Sequence, residues 1–291
     1  MPAEGGARNV RALPRRFTTL HPARVQEEIA VNTPADHLAR MRETAPLVQN
    51  ITNYVAMNVM ANVLLASGAS PAMVHTREEA ADFAGIASAL TVNIGTLSPD
   101  WVVSMQEAAQ AANDAGKPWV LDPVAVGATA YRREVGQTLV ALRPTVIRGN
   151  ASEILALSGV AAAGRGADAA DTVDTAEAAA RHLASAHDAV VAVTGAVDFV
   201  TDGQKEARVA NGHALMPRVT ALGCSLTGVV GAFVAGQDPF DATVAALAYY
   251  GIAGEVAAQE ASGPGSFQVA FLDALYALTP QDVRANARIT T

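Results

Sequence analysis

The amino-acid sequence predicts a three-layer α/β fold, in which a mostly parallel central sheet is flanked by helices. Short apolar runs, which are typical of buried strands, alternate with helical segments over most of the chain. Many of these runs end in glycine or a polar residue just ahead of the next helix, as in consecutive strand–helix units. Neither an internal repeat nor a clear linker interrupts this pattern, so we expect a single domain.

The first half of the chain predicts regular alternation of the two element types. A helix over residues 34–43 begins with a Thr-Pro pair, which supplies a cap and a first-turn proline. A strand over 46–53 then leads into a helix over 54–67, which ends at Gly68. We predict further strands at 70–74, 89–95, 119–123 and 145–149, with helices at 77–87, 99–115, 132–142 and 151–159.

The second half predicts a loop, an edge hairpin and a series of apolar helices. Residues 160–172 are rich in Gly, Ala and Asp and predict a mobile loop. An Ala-rich helix over 174–187 leads to a strand over 189–194. Asp198–Thr201 and Glu206–Val209, joined through an Asp-Gly pair, predict a small antiparallel hairpin. The helices that follow are expected at 224–236, 239–261 and 264–278.

The two ends of the chain are predicted to be tails. Residues 1–33 are rich in Arg, Pro and Thr, and no apolar segment of a secretory signal follows the arginines. We therefore expect a disordered N-terminal tail at 1–33, a folded domain at 34–280 and a C-terminal tail at 281–291.

Composition narrows the possible functions. Hydrophobic residues make up 51% of the 291 residues and charged residues 16%, which indicates a large core or a core plus a buried subunit interface. The net charge of −8 argues against broad binding to nucleic acid or to an anionic membrane. No apolar stretch reaches the ~18 residues of a membrane-spanning helix. The single cysteine excludes an internal disulfide and fits a cytoplasmic protein.

Polar and small residues follow the predicted strands, where ligands collect in parallel sheets. Asp122 and Glu153 follow successive strands, an arrangement that suits Mg²⁺. A turn at Asp122 and a helix cap formed by Asn150 with Glu153 explain the same residues without a metal. Arg148, at the end of a strand, needs a phosphate or Glu153 as a partner. The candidate strand-end residues are Asn53, Gly95, Asp122, Asn150, Glu153, Thr194 and Cys224.

The only cysteine, Cys224, follows Gly223 at the predicted start of an apolar helix. The free backbone N–H groups and partial positive charge of a helix start favour an anion such as phosphate. A small buried residue filling a tight turn explains the pair equally well. Neither a P-loop motif nor a Rossmann glycine motif follows a strand, which argues against those two nucleotide-binding classes.

Several blocks of residues match the motifs of a known enzyme family. They occur in order between about residue 45 and residue 278, and some are long enough to be highly specific. The blocks are 47–53, 64–74, 93–97, 121–127, 147–153, 193–195, 223–224 and 263–267. Together they resemble the hydroxyethylthiazole kinase family of the ribokinase-like fold.

The resemblance implies ATP-dependent phosphorylation of the primary alcohol of 4-methyl-5-(2-hydroxyethyl)thiazole, a step of thiamine biosynthesis and salvage. It also implies Mg²⁺ as the cofactor and a homotrimer with active sites at subunit interfaces. Matching positions imply thiazole contacts from Met73, Asn53 and Ala221, ATP contacts from Arg148, Thr194 and Asn150, Mg²⁺ at Asp122 and Glu153, and catalytic roles for Gly223 and Cys224.

One departure from the family pattern bears on the site. The family usually reads Gly-Thr-Gly-Cys where this chain has Ala221-Leu222-Gly223-Cys224. If the first position has positive φ, the methyl group of Ala221 costs about 1 kcal/mol, and otherwise the change is nearly silent. Two other classes remain open: a lyase of the NAD(P)H-hydrate dehydratase type, which would carry aspartate in place of Cys224, and a non-catalytic thiazole- or nucleotide-binding protein.

Overall fold

One sheet runs through the structure, a computed structural model that describes residues 33–159 and 169–291. Its strands within those residues are β1 (Leu47–Ile51), β2 (Ser70–Ala72), β3 (Ala89–Asn93), β4 (Trp119–Asp122), β5 (Val146–Asn150), β6 (Val190–Thr194), β7 (Asp198–Thr201), β8 (Glu206–Val209) and β9 (Ile289–Thr290). They lie in the order β2-β1-β3-β4-β5-β6-β7-β8-β9. Pairing is parallel from β2 to β6 and antiparallel from β6 to β9.

Helices cover both faces of the sheet. They are α1 (Pro34–Thr44), α2 (Met57–Ser67), α3 (Ala80–Ile86), α4 (Pro99–Asp114), α5 (Ala130–Ala141), α6 (Ala151–Leu157), α7 (Ala169–His187), α8 (Leu222–Val234), α9 (Pro239–Glu260), α10 (Pro264–Ala277) and α11 (Pro280–Asn286). A short 3₁₀ helix (Met216–Arg218) precedes α8. None of the helices in the described residues has both the length and the apolar character needed to cross a bilayer.

The alternation of side chains along the strands divides the core into two layers. In β6, Val190 and Ala192 belong to the core layer that contains residues of α1, α2 and α8 to α11, whereas Val191 and Val193 belong to the layer that contains residues of α3 to α7. Successive side chains of a strand point to opposite faces, so an all-apolar strand requires cover on both. The predicted three-layer fold and its edge hairpin are confirmed.

Several element boundaries differ from those predicted. Helix α2 begins at Met57 rather than at residue 54, because Asn53 first forms a turn in which its carbonyl and its side chain both accept from the N–H of Ala56. Helix α7 begins at Ala169, which shortens the loop predicted at 160–172. Residues 160–168 of that loop, and 1–32 of the predicted N-terminal tail, lie outside the described residues.

The C-terminal end corrects the expectation of a tail at 281–291. The Thr279 side chain accepts from the Asp282 N–H and Asp282 accepts from the Thr279 N–H, a capping box that starts α11 with a proline in its first turn. Buried Val283 anchors the helix to the core, and β9 then pairs with β8. Asn32–Thr291 form one compact unit.

Candidate active site

The carboxyl ends of the parallel strands bring polar residues to one edge of the sheet. Asn53 follows β1, Asn93 ends β3 and Asp122 ends β4. Asn150 and Thr194 end the adjacent strands β5 and β6, where they are register partners, as are Asn93 and Asp122. Parallel pairing aligns these ends, which is where ligands bind in such sheets.

Asp122 is the buried acidic centre of this edge, with only 1% of its surface exposed. Its Oδ2 atom accepts hydrogen bonds from Asn93 Nδ2 at 2.7 Å and from Thr227 Oγ1 at 2.8 Å. Its Oδ1 atom is buried and has no hydrogen-bond partner among the described residues. Burial raises the pKa of Asp122 to about 6, against the lowering effect of the Arg148 charge. The carboxylate is therefore mostly ionised at neutral pH and has one oxygen left for a ligand.

Two buried amides connect Asp122 to Cys224. Asn53 Nδ2 donates to Asn93 Oδ1 at 2.9 Å and to Cys224 Sγ at 3.3 Å, and Asn93 donates in turn to Asp122. Gly95 lies so close that a Cβ atom there would be 2.8 Å from Asn53 Cβ, so only glycine fits. Burial, and next the Asp122 charge, raise the pKa of the Cys224 thiol. The sulfur is thus a neutral thiol at physiological pH rather than a thiolate.

Arg148 joins this cluster to the neighbouring strand and to helix α8. Its Nη2 atom donates to Thr194 Oγ1 at 2.9 Å, and its Nη1 atom donates to the carbonyl oxygen of Gly223 at 3.0 Å. The same Nη1 atom lies 3.8 Å from Asp122 Oδ2, an ion pair in which the Arg148 side chain is 11% exposed. Such a pair is costly to bury unless both partners are held in place.

A cavity of about 790 Å³ opens beside Arg148 and Thr194. That volume is in the range of small-molecule sites. Its wall includes Asp198, the segment that leads into α8, and Gly223. The Gly195 N–H donates to Asp198 at 2.9 Å, and burial raises the pKa of that carboxyl to about 6. Asn53, Asp122 and Cys224 do not line the cavity, which therefore lies on one side of Arg148 only.

The turn into α8 is strained at Ala221, the residue before the helix. Its φ of 64° is left-handed, which costs an alanine about 1 kcal/mol relative to glycine. The Ala221 carbonyl accepts the Ser225 N–H at 2.8 Å, the first bond of the helix ladder. The N–H groups of residues 222–224 precede that bond, so they are available to an anion at the helix start.

Glu153 forms the helix cap that its spacing predicts. Its Oε2 atom accepts the Asn150 N–H at 2.9 Å while Asn150 Oδ1 accepts the Glu153 N–H at 3.0 Å. Its Oε1 atom accepts the N–H of Ala125 at 3.0 Å, in the turn after β4. The carboxylate thus ties the ends of β4 and β5 together, and each oxygen keeps a lone pair.

Met73 joins neither the hydrogen-bonded cluster nor the cavity wall, and Asn150 and Glu153 bond to each other beside the cluster without lining the cavity. Met73 follows β2 and packs, partly buried, against the core that includes α2 and α8. Three further residues belong to the site and were not predicted from the sequence: Asn93, Thr227 and Asp198. Asn93 is a polar residue ending an apolar strand, a signal that was open to sequence reading, whereas Thr227 becomes relevant only because α8 packs on β4.

A family model and several known proteins match most of this chain. Residues 38–281 match the family model described as the hydroxyethylthiazole kinase family. The chain belongs to the hydroxyethylthiazole kinase family. A hydroxyethylthiazole kinase of Cereibacter sphaeroides is 68% identical over 253 residues, which are 87% of this chain and 97% of that protein. The solved hydroxyethylthiazole kinase of Pyrococcus horikoshii is 43% identical, with a TM-score of 0.82 over 88% of this chain and 98% of the other.

A more distant structure bears on the fold alone. Pyridoxal kinase of Bacillus subtilis, solved as an ADP complex, has a TM-score of 0.55 and 19% identity, over 70% of this chain and 89% of its own. The ribokinase-like fold and the family resemblance are confirmed. Membership in the hydroxyethylthiazole kinase family makes the chain a phosphotransferase, as predicted, rather than a lyase or a non-catalytic binding protein.

Proposed function

We propose that this family member transfers the γ-phosphoryl group of ATP to the hydroxyl of 4-methyl-5-(2-hydroxyethyl)thiazole, in thiamine biosynthesis and salvage. The observation that carries the proposal is the position of Arg148. It lies between a cavity of nucleotide size and the buried cluster of Asp122 and Cys224. Phosphoryl transfer depends mainly on positioning the two reactants and stabilising charge between them, and Arg148 stands at that boundary.

The nucleotide would occupy the cavity. Arg148 and Thr194 line it and present a guanidinium and a hydroxyl to phosphate oxygens. Asn150, the register partner of Thr194, would contact the nucleotide from the adjacent strand. The N–H groups at the start of α8 would bind the transferring phosphoryl oxygens.

The thiazole alcohol would bind on the opposite side of Arg148. Asn53 and Met73 would contact the thiazole there, Ala221 would contact it from the edge of the cavity that it lines, and the hydroxyl would lie near Cys224. Because burial keeps the thiol protonated, Cys224 would act as a weak hydrogen-bonding group rather than as a strong base. The backbone N–H groups around Gly223 and Cys224 would carry most of the charge stabilisation, since little proton transfer is needed early.

Mg²⁺ fits the acidic side of the site. The unpartnered Asp122 Oδ1 atom is a hard oxygen ligand, and the free lone pairs of Glu153 can accept from a metal-bound water. The described residues contain no cluster of three or more His, Cys, Asp or Glu side chains that could hold a metal. A sparse donor set is typical of Mg²⁺ that arrives with the nucleotide, and the ion would neutralise phosphate charge there.

We also propose a cytoplasmic homotrimer with active sites at subunit interfaces. Tyr54 and Val55, directly after Asn53, are 68% and 60% exposed, so an apolar surface adjoins the site. Met73 would then contact thiazole in a neighbouring subunit's site. Light scattering gives the subunit number. If the mass is trimeric, mixing inactive Met73→Arg and Asp122→Asn subunits should restore part of the activity, whereas a monomeric mass excludes shared sites.

The deciding experiment is ADP release by the purified full chain. ATP, Mg²⁺ and the thiazole alcohol together should give sustained ADP and thiazole phosphate, and omission of the alcohol or addition of EDTA should stop both. ADP release without the alcohol would indicate an ATPase, and binding of both ligands without turnover would contradict the proposed transfer.

A further inference from the structure

Arg132 has an arrangement that its local sequence does not explain. Its Nη1 atom donates to the carbonyls of Ile94 at 2.6 Å and Val124 at 2.9 Å, and its Nη2 atom donates to the Gly95 carbonyl at 2.7 Å. Arg132 lies in the first turn of α5, where a cation opposes the helix dipole. One planar guanidinium therefore holds the loops that follow β3 and β4 together.

The first consequence concerns the backbone of Asp122. Its carbonyl accepts the N–H of Ile94 at 3.2 Å and the N–H of Val124 at 2.9 Å. The carbonyls of these same two residues are the ones bound by Arg132. Arg132 thus holds both backbone donors that support the strand end carrying the acidic side chain.

The second consequence concerns Asn53. The Gly95 N–H donates to Asn93 Oδ1 at 2.9 Å, and the backbone of Gly95 packs directly against the Asn53 side chain. Asn53 in turn donates to Cys224 Sγ. By binding the Gly95 carbonyl, Arg132 therefore holds in place the loop that packs against the Asn53–Asn93 amide pair.

We infer that Arg132 is a positioning residue for the acidic side of the site, where Asp122, Asn93 and Asn53 lie. It acts through the backbone of Ile94, Gly95 and Val124. The kinetic effects expected of Arg132 variants rest on the proposed function, because they are measured with ATP and the thiazole alcohol. A lysine keeps the charge but is a point donor, so it cannot span three carbonyls in the geometry of a guanidinium.

The neighbouring Arg133 provides a matched control. It is exposed and makes one bond, from Nη1 to the Gly127 carbonyl at 2.8 Å, which lysine can replace. Arg132→Lys should lower kcat on the order of 10-fold or more and raise KM for the thiazole alcohol, while KM for ATP stays within about 2-fold. Arg133→Lys should leave all three unchanged. Equal kinetics of the two variants, or a rise confined to KM for ATP, would overturn the inference.

Two further measurements separate positioning from general folding. Free guanidinium, but not ammonium, should restore turnover to Arg132→Ala, since only the planar ion bridges carbonyls. The rate at which iodoacetamide alkylates Cys224, the only cysteine, should change several-fold in Arg132→Lys and not in Arg133→Lys. Alkylation needs no turnover, so it tests Arg132 even if the thiazole alcohol is not the acceptor. An unchanged alkylation rate in Arg132→Lys refutes the inference.

Discussion

The two sides of Arg148 are built in different ways. On the acidic side, Asp122, Asn93 and Asn53 bond to one another through their side chains, and all three are buried. On the cavity side, about half of the lining residues belong to the segment between β8 and α8, and apolar side chains of α8 and α9, such as Leu226 and Tyr250, complete a mostly apolar wall. A hydrogen bond from the Gly212 N–H to Glu255, at 2.7 Å, stabilises the backbone of that wall.

This difference suggests a division of roles: the acidic side positions the reacting groups, and the cavity side binds the substrate. Buried polar networks lose much when one member is removed, because the remaining partners stay unsatisfied in a low dielectric. A substitution in a mostly apolar wall changes the shape of the cavity but leaves no buried polar partner unsatisfied. We therefore expect substitutions on the acidic side to lower kcat and those at the cavity edge to change KM.

Replacing Asp122 should have the largest effect. Asp122→Asn keeps an oxygen for Asn93 and Thr227 but removes the charge and the free acidic oxygen, so kcat should fall by roughly 10²–10³-fold. The free energy of unfolding at pH 7 should be equal or higher, because the variant no longer buries this carboxylate. Coupled ADP release and thermal unfolding check the two halves, and a destabilised but active variant would contradict both.

The pH dependence tests the same carboxylate. The folded pKa of Asp122, about 6, lies above its model-compound value of 3.8, so the folded state binds the proton more tightly. This carboxyl therefore contributes stability at low pH that is lost as pH rises from about 4 to about 6. Because the charged form is needed, kcat/KM should fall below about pH 6. Asp198 has a similar pKa, so Asp198→Asn is the control. In this variant kcat/KM should still fall below about pH 6.

Glu153→Gln should have the next largest effect. The amide keeps one acceptor but turns an N–H₂ group toward the N–H of Ala125 or Asn150, which misaligns the ends of β4 and β5. We expect a loss of roughly 10–100-fold in kcat and about 1 kcal/mol of stability. Asp282→Asn breaks an equivalent capping box in α11, away from the candidate site, and should lose only the stability. Equal kinetic losses in both variants would assign Glu153 a purely structural role.

How far the sequence predicts this site depends on whether the signal is local. The strand ends at Asp122, Asn150 and Thr194 were predictable, because an apolar run closing on a polar residue is a local pattern. The conformation of Ala221 could only be posed as two alternatives, since φ is set by how α8 docks on the sheet. The C-terminal strand was missed because two residues leave no periodicity to read.

Long-range contacts account for the other omissions. Thr227 reaches Asp122 across 105 positions of sequence, and Arg132 reaches Ile94 across 38. No spacing rule connects residues that far apart. Only the packing of α8 and α5 against the strand ends brings them together.

Ala221→Gly should have a smaller effect. This residue lies where the acidic side and the cavity side meet. Removing a methyl from a residue at φ 64° should raise the free energy of unfolding by up to about 1 kcal/mol. Because Ala221 also lines the cavity, KM for ATP or thiazole should change a few-fold. Ala45→Gly is the control: its φ is 42°, it ends α1 outside the cavity wall, and it should change stability alone. Unchanged KM values in Ala221→Gly would show that the methyl does not meet either substrate.

Cys224→Ser should have the smallest effect, although Cys224 is the most conspicuous residue of the site. The substitution keeps the backbone N–H and places a hydroxyl where Asn53 can still donate, and the raised pKa means that no thiolate is lost. We expect kcat to change by no more than about 2-fold, and kcat/KM should still fall below about pH 6. Turnover abolished by Cys224→Ser, while Glu153→Gln stays active, would show that the sulfur is the base and that the acidic side only supports it.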